Sequence, residues 1–123
     1  MTKRWFGRVF LNPPYGPATK VWLQKLVLHG NGIALVFART ETQWFYDLAW
    51  TSADGILFLK RRIKFFDVRG RQGGTAPAPS CLIAFGKDNL QALSKSRLPG
   101  SLVTGWTRLN GESGTANYKS RMQ

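Results

Sequence analysis

The sequence predicts an α/β domain with a mostly parallel sheet of about four strands and flanking helices. Two observations carry that expectation. Short apolar runs alternate along the chain with amphipathic stretches, the pattern of strands layered against helices. Ile33-Ala34-Leu35-Val36-Phe37 is apolar throughout, as expected of a strand covered on both faces.

The elements follow in order. Val9 to Leu11 is the first strand, closed by Asn12-Pro13-Pro14-Tyr15. Two successive prolines fix φ and stiffen a turn, so the strand ends there. Thr19 to Leu28 reads as a helix with Val21, Trp22, Leu23, Leu26 and Val27 as its apolar residues, and His29-Gly30-Asn31-Gly32 stops it with αL-permissive residues. After the strand at 33–37, Thr40-Glu41-Thr42-Gln43 has capping-box spacing and opens a helix to about Trp50. Ile56 to Leu59 is the third strand, and a basic run follows it. Arg69 to Gly74 reads as a basic, hairpin-like excursion, and Pro77-Ala78-Pro79 leads into a strand at Cys81–Phe85. Asp88 and Gln91 look like a cap pair for a short helix to about Lys95. The pattern dissolves beyond Pro99-Gly100, which divides the chain into a domain at 1–100 and a polar tail at 101–123 expected to be largely disordered.

Composition narrows the function. At 123 residues the chain holds one domain at most. Its 18 Lys+Arg against 6 Asp+Glu give a net charge of +12, a field that draws in polyanions, with DNA or RNA as leading partner and an anionic membrane surface well behind. No apolar run is long enough to span a bilayer. The segment from Met1 to Trp5 lacks the apolar core of a signal peptide, and a lone Cys81 suits a reducing compartment, so the cytoplasm is expected. Too few Cys and His residues are present for a structural zinc site, and no carboxylate pair suggests a catalytic metal.

Lys60, Arg61, Arg62, Lys64, Arg69 and Arg71 form the densest basic block, interleaved with Phe65 and Phe66, as suits a surface that tracks phosphates. The plainer alternative is a solvated edge that discourages strand pairing. Arg39 follows a strand, where α/β ligand crevices lie, and is a candidate DNA contact. Trp44 can stack on DNA or join the core, whereas Phe45 reads as core. His29, at a helix end, is expected to touch the last carbonyls and takes no catalytic role.

Three further stretches, with the first, carry a family resemblance. They are Gly7–Gly16 with Asn12-Pro13-Pro14-Tyr15 at its centre, Ala38-Arg39-Thr40-Glu41-Thr42-Gln43-Trp44-Phe45, Asp54–Phe65 with Arg62-Ile63-Lys64-Phe65, and Ala78–Phe85. Over about Trp5 to Phe85 the chain resembles the phage-type, Dam-like DNA N6-adenine methyltransferases. The resemblance implies part of a class I (Rossmann-like) S-adenosylmethionine-dependent methyltransferase fold. It also implies methyl transfer from S-adenosylmethionine to the N6 amine of a flipped adenine in double-stranded DNA, in a phage or prophage setting.

The residue types suit that chemistry. A ring-conjugated amine is a poor nucleophile because its lone pair is delocalised. The Asn12 amide oxygen and the Pro13 carbonyl would each accept one N–H and aim the lone pair at the methyl group. Pro14 would stiffen the turn, and Tyr15 would stack on the flipped base. Asn12 is also the one residue that the resemblance brings to the cofactor. The strand and acidic turn that hold most of S-adenosylmethionine in the family have no counterpart ahead of Asn12, and no Gly-rich turn with a following acidic ribose ligand occurs. The resemblance therefore implies a raw sheet edge at Val9–Leu11 that another chain or self-association would cover. Three rivals follow: an inactive DNA-binding fragment, one half of a split methyltransferase, and an enzyme acting on RNA or on a protein glutamine amide.

Overall fold

The computed structural model describes residues 4–14, 16–66, 69–70, 72–75, 78–107 and 109. Strands β1 (Val9–Leu11), β2 (Gly32–Phe37), β3 (Gly55–Leu59), β6 (Ser80–Phe85) and β7 (Gly100–Val103) form one sheet in the order β1-β2-β6-β3-β7. Between β3 and β6, β4 (Lys64–Phe66) and β5 (Gln72–Thr75) pair as a separate antiparallel hairpin with a bulge at Phe65/Phe66. Helix α1 (Ala18–His29) and a π-helical segment (Phe45–Trp50) lie on one side of the sheet; α2 (Lys87–Ser94) lies on the other.

The sheet is mixed, which corrects the expectation of a mostly parallel, four-stranded one. Only β1 and β2 are parallel neighbours; β6 runs antiparallel to both β2 and β3, and β7 runs antiparallel to β3. The reason lies in the β3–β6 connection. Parallel neighbours need a crossover, usually helical, whereas this connection spends its residues on the β4–β5 hairpin and returns from the same end. The sheet also continues past residue 100, through β7, and Trp106 packs beyond it with its indole N–H donating to the Trp50 carbonyl (2.8 Å). Residues 110–123 of the expected tail lie outside the described residues.

Alternation along the strands divides two cores. Leu11, Ala34, Val36, Ile56, Cys81, Ile83 and Phe85 face α1 and the π segment, where Leu23, Leu26 and Phe45 are fully buried. Leu57, Leu82 and Ala84 face Leu93 of α2. Helix α1 ends where Gly30 takes the left-handed conformation (φ 76°), its N–H donating to the Leu26 carbonyl. Gly32 is fixed by packing: a Cβ there would sit 2.4 Å from the Val9 carbonyl oxygen across the β1–β2 pair.

The helix expected from Thr40 starts later and winds more widely. Thr42, not Thr40, supplies the hydroxyl, donating to the Arg39 carbonyl (2.6 Å) and accepting the Phe45 N–H (3.4 Å). In an α-helix, residues five apart point roughly 140° away from each other. The wider π turn instead brings Phe45 and Trp50 within 5.8 Å, and Trp50 reaches Phe58 and Trp106 as well. Helix α2 begins from Gly86 without a side-chain cap, so the Asp88/Gln91 pair does not cap it.

Upstream of β1, Trp5 stacks on Trp22 of α1 and lies under the Lys25 ammonium. His29 reaches back rather than to its own helix end, its Nε2–H donating to the Gly7 carbonyl (2.6 Å). Among the described residues no helix is long and apolar enough to cross a membrane.

Candidate functional site

A cleft of about 670 Å³ opens at the carboxyl ends of β1 and β2, the place where α/β sheets collect ligands. Asn12 and Pro13 form the β1 wall. Phe37 and Arg39 follow from β2, Trp44 and Thr42 from the start of the helical segment, and Ile63 and Ser80 from the two ends of the β4–β5 excursion. Residues spread over nearly seventy positions thus converge on one volume.

The turn after β1 is held from below. Thr19, nearly buried in the first turn of α1, donates its hydroxyl to the Pro14 carbonyl at 2.6 Å. Its own N–H donates to the Gly16 carbonyl (3.1 Å), and Gly16 has a φ of 90° that a residue with a side chain would reach only with strain. The Pro-Pro turn is therefore tied to the helix that follows it, leaving the exposed Asn12 side chain at the cleft. Neither proline carries an N–H, so neither can compete as a backbone donor for the Pro13 carbonyl.

Of the expected site residues, Asn12, Pro13, Arg39 and Trp44 share the cleft. Pro14 adjoins it as the acceptor of Thr19. Arg39 is exposed, with its guanidinium carbon 5.9 Å from the Phe37 ring centroid. Trp44 is half-buried against Phe45, packed on the core, and also lines the cleft. Lys60, Arg61 and Arg62 are exposed at the end of β3, immediately before cleft-lining Ile63, and the Lys60 N–H is anchored on the Pro99 carbonyl (2.9 Å). Arg69 is exposed at the hairpin turn. Tyr15, Arg71 and the Lys64 side chain lie outside the described residues.

The site gains residues that sequence reasoning missed: Thr19, Thr42, Ser80 and Ile63. Thr19 had a local signal, a hydroxyl in the first turn of a helix beside a turn rich in carbonyls. Ser80 had none, because only the long-range β2–β6 register (Phe37 opposite Ser80) brings it there.

Electrostatically the cleft is plain. Among the described residues of its lining, Arg39 is the one charged side chain and none is a carboxylate. Cys81, beside Ser80, is buried, and desolvation pushes its thiol up to about 12, so it stays protonated and serves as core. Among the described residues, no three His, Cys, Asp or Glu side chains gather as metal ligands would.

What the arrangement offers is an acceptor pair and a broad, largely apolar slot beside a basic rim. No family model, curated protein or solved structure matches the chain.

Proposed function

We propose that this chain is the amine-binding part of a DNA N6-adenine methyltransferase, acting on an adenine flipped from the duplex. One observation carries the reading: Asn12 and Pro13, at the carboxyl end of β1, open on a cleft of about 670 Å³ that also takes in Arg39 and Trp44. In this reading the Asn12 amide oxygen and the Pro13 carbonyl accept the two N6 protons. That pulls the amine lone pair out of conjugation and fixes its direction, a gain of orientation rather than of acid–base chemistry. Trp44 gives the base an aromatic wall, Tyr15 is assigned the stacking role, and Pro14 keeps the turn rigid through Thr19. Arg39, Lys60, Arg61 and Arg62, with Lys64, Arg69 and Arg71 around the hairpin, would hold the phosphates.

The methyl donor S-adenosylmethionine is a different matter. It combines a sulfonium cation with a ribose whose hydroxyls are ordinarily taken by a carboxylate. Among the described residues the cleft lining offers Arg39 and no Asp or Glu. The residues present fit the amine and do not fit the whole donor. That mismatch favours one half of a split methyltransferase, or a DNA-binding chain without transfer activity, over a self-sufficient enzyme.

The test uses duplex DNA carrying an unpaired adenine, against the same duplex with an unpaired thymine. Adenine is expected to bind several-fold more tightly, with Asn12→Ala erasing the difference while leaving overall DNA affinity in place. Equal affinity for the two bases in the wild-type chain would end the amine-binding reading.

A further inference from the structure

We infer that the outer edge of β1 takes up a strand from an acidic polypeptide segment, which ends beside Asn12 at the cleft. The Val9 N–H donates to the Asn31 carbonyl, and Val9, Phe10 and Leu11 stand opposite Gly32, Ile33 and Ala34. Along a strand, backbone groups point alternately to either side, so those of Val9 and Leu11 face β2 and those of Phe10 face outward. Among the described residues, β1 is the end strand of its sheet. The Phe10 N–H and C=O therefore form a template for a further strand.

The side chains repeat the message. Phe10 is 64 % exposed, and it shares a sheet face with Ile33 and Leu35, which are only half-buried. Helix α2 packs that face chiefly over β6, leaving Ile33 and Leu35 half-buried at its margin and Phe10 exposed beyond them. Leu35 also lines the cleft, so this partly covered face runs into the functional site. A strand beside β1 would cover Phe10 and end next to Asn12.

Charge selects the occupant. The first forty residues, which build β1, α1 and β2, contain Lys3, Arg4, Arg8, Lys20, Lys25 and Arg39 and no Asp or Glu. Arg4 and Arg8 are exposed on the approach to the edge. A second copy would set cation against cation, with +12 on each side. A nucleic acid would answer the charge but leave the apolar face and the strand template unmet. An acidic, strand-forming polypeptide answers all three. The docking rests on sheet geometry alone. That the incoming segment also supplies a carboxylate, which the described lining of the cleft lacks, rests on the methyl-transfer reading.

The experiment measures hydrogen exchange of the full chain with a synthetic decapeptide alternating Glu and Val. Controls are the Lys/Val counterpart, an equally acidic Glu/Gly peptide and single-stranded oligo(dA). The Glu/Val peptide is expected to slow exchange of the Phe10 amide at least tenfold. Its affinity is expected to fall at least tenfold in Arg8→Glu and in Phe10→Lys, whose other protected amides report an intact fold. The Glu/Gly and Lys/Val peptides should leave the Phe10 amide unprotected. Protection by oligo(dA) instead, a dimer by sedimentation, or no protection by any probe would overturn the docking. S-adenosylmethionine titrated into the chain alone keeps the two ideas apart. Micromolar binding would refute the partner's part in the donor site and leave the edge to the exchange result.

Discussion

Replacing Thr19 by valine should loosen the site without hollowing the core. The two side chains have nearly the same shape, so the change removes one hydroxyl and no volume. That hydroxyl donates to the Pro14 carbonyl at 2.6 Å, from a residue only 9 % exposed. A hydrogen bond of this kind contributes about 1 kcal/mol net. The Pro14 carbonyl belongs to an exposed residue and can turn to water, so the larger penalty for an orphaned buried acceptor does not apply. With a urea m-value of about 1–1.5 kcal/mol/M for a domain of this size, the unfolding midpoint should drop by roughly 0.7–1 M. Tryptophan fluorescence follows it readily. Discrimination of unpaired adenine should fall further than stability does, because the Pro-Pro turn is no longer tied to α1. Thr19→Ser keeps the hydroxyl and should restore most of both. The reasoning fails if Thr19→Val unfolds and discriminates like wild type, or if serine is as damaging as valine.

Three further outcomes are expected. Gly32→Ala would drive a methyl group to 2.4 Å from the Val9 carbonyl oxygen and should unpair β1 from β2, visible as loss of exchange protection at Val9 with the β3–β6 amides retained. Asn89, fully buried, donates to the Asn31 side-chain oxygen (2.8 Å) and the Phe85 carbonyl (2.7 Å); Asn89→Leu should cost about 2–4 kcal/mol by urea titration, since both acceptors lose a buried partner. Cys81 has its pKa raised from 9.0 to about 12, so its contribution is complete below pH 9 and is lost as pH climbs toward 12, while the unfolded thiol ionises first. On the order of 4 kcal/mol is at stake over that window, read as the difference between the pH–stability profiles of wild type and Cys81→Ala. A wild-type profile no steeper than the variant's would contradict it.

The elements that local pattern specifies were legible in the sequence. The β2 run, the αL stop after α1 and the turn at Asn12-Pro13-Pro14 all follow from residues within a few positions of each other. Strand direction does not. An apolar run at 81–85 says strand without saying which way it points, and the clue lay elsewhere, in the lack of a helical stretch between Leu59 and Ser80. β7 escaped notice because only Leu102 and Val103 of its four residues are even half-buried, so no apolar run marks it. The π turn escaped because its aromatic spacing of five satisfies neither the helical nor the strand period. At the site, Asn12, Arg39 and Trp44 were visible as strand-end or near-strand-end residues, whereas Ser80 and Ile63 arrive through tertiary pairing that no local window contains.

The antiparallel β6 has a consequence during synthesis. Among the described strands it is the one that joins β2 to β3, and it lies more than twenty residues downstream of the later of the two. As the chain emerges, β1, α1 and β2 can assemble, but Ile56-Leu57-Phe58-Leu59 has no neighbour until Ser80–Phe85 follows. At ribosomal rates that wait lasts roughly 1 to 5 s, with an apolar strand bared to other nascent chains. Lys60, Arg61 and Arg62 stand directly at its end. Three adjacent cations flanking an unavoidable hydrophobic strand are an effective guard against aggregation, so the basic run has a task before any polyanion is met.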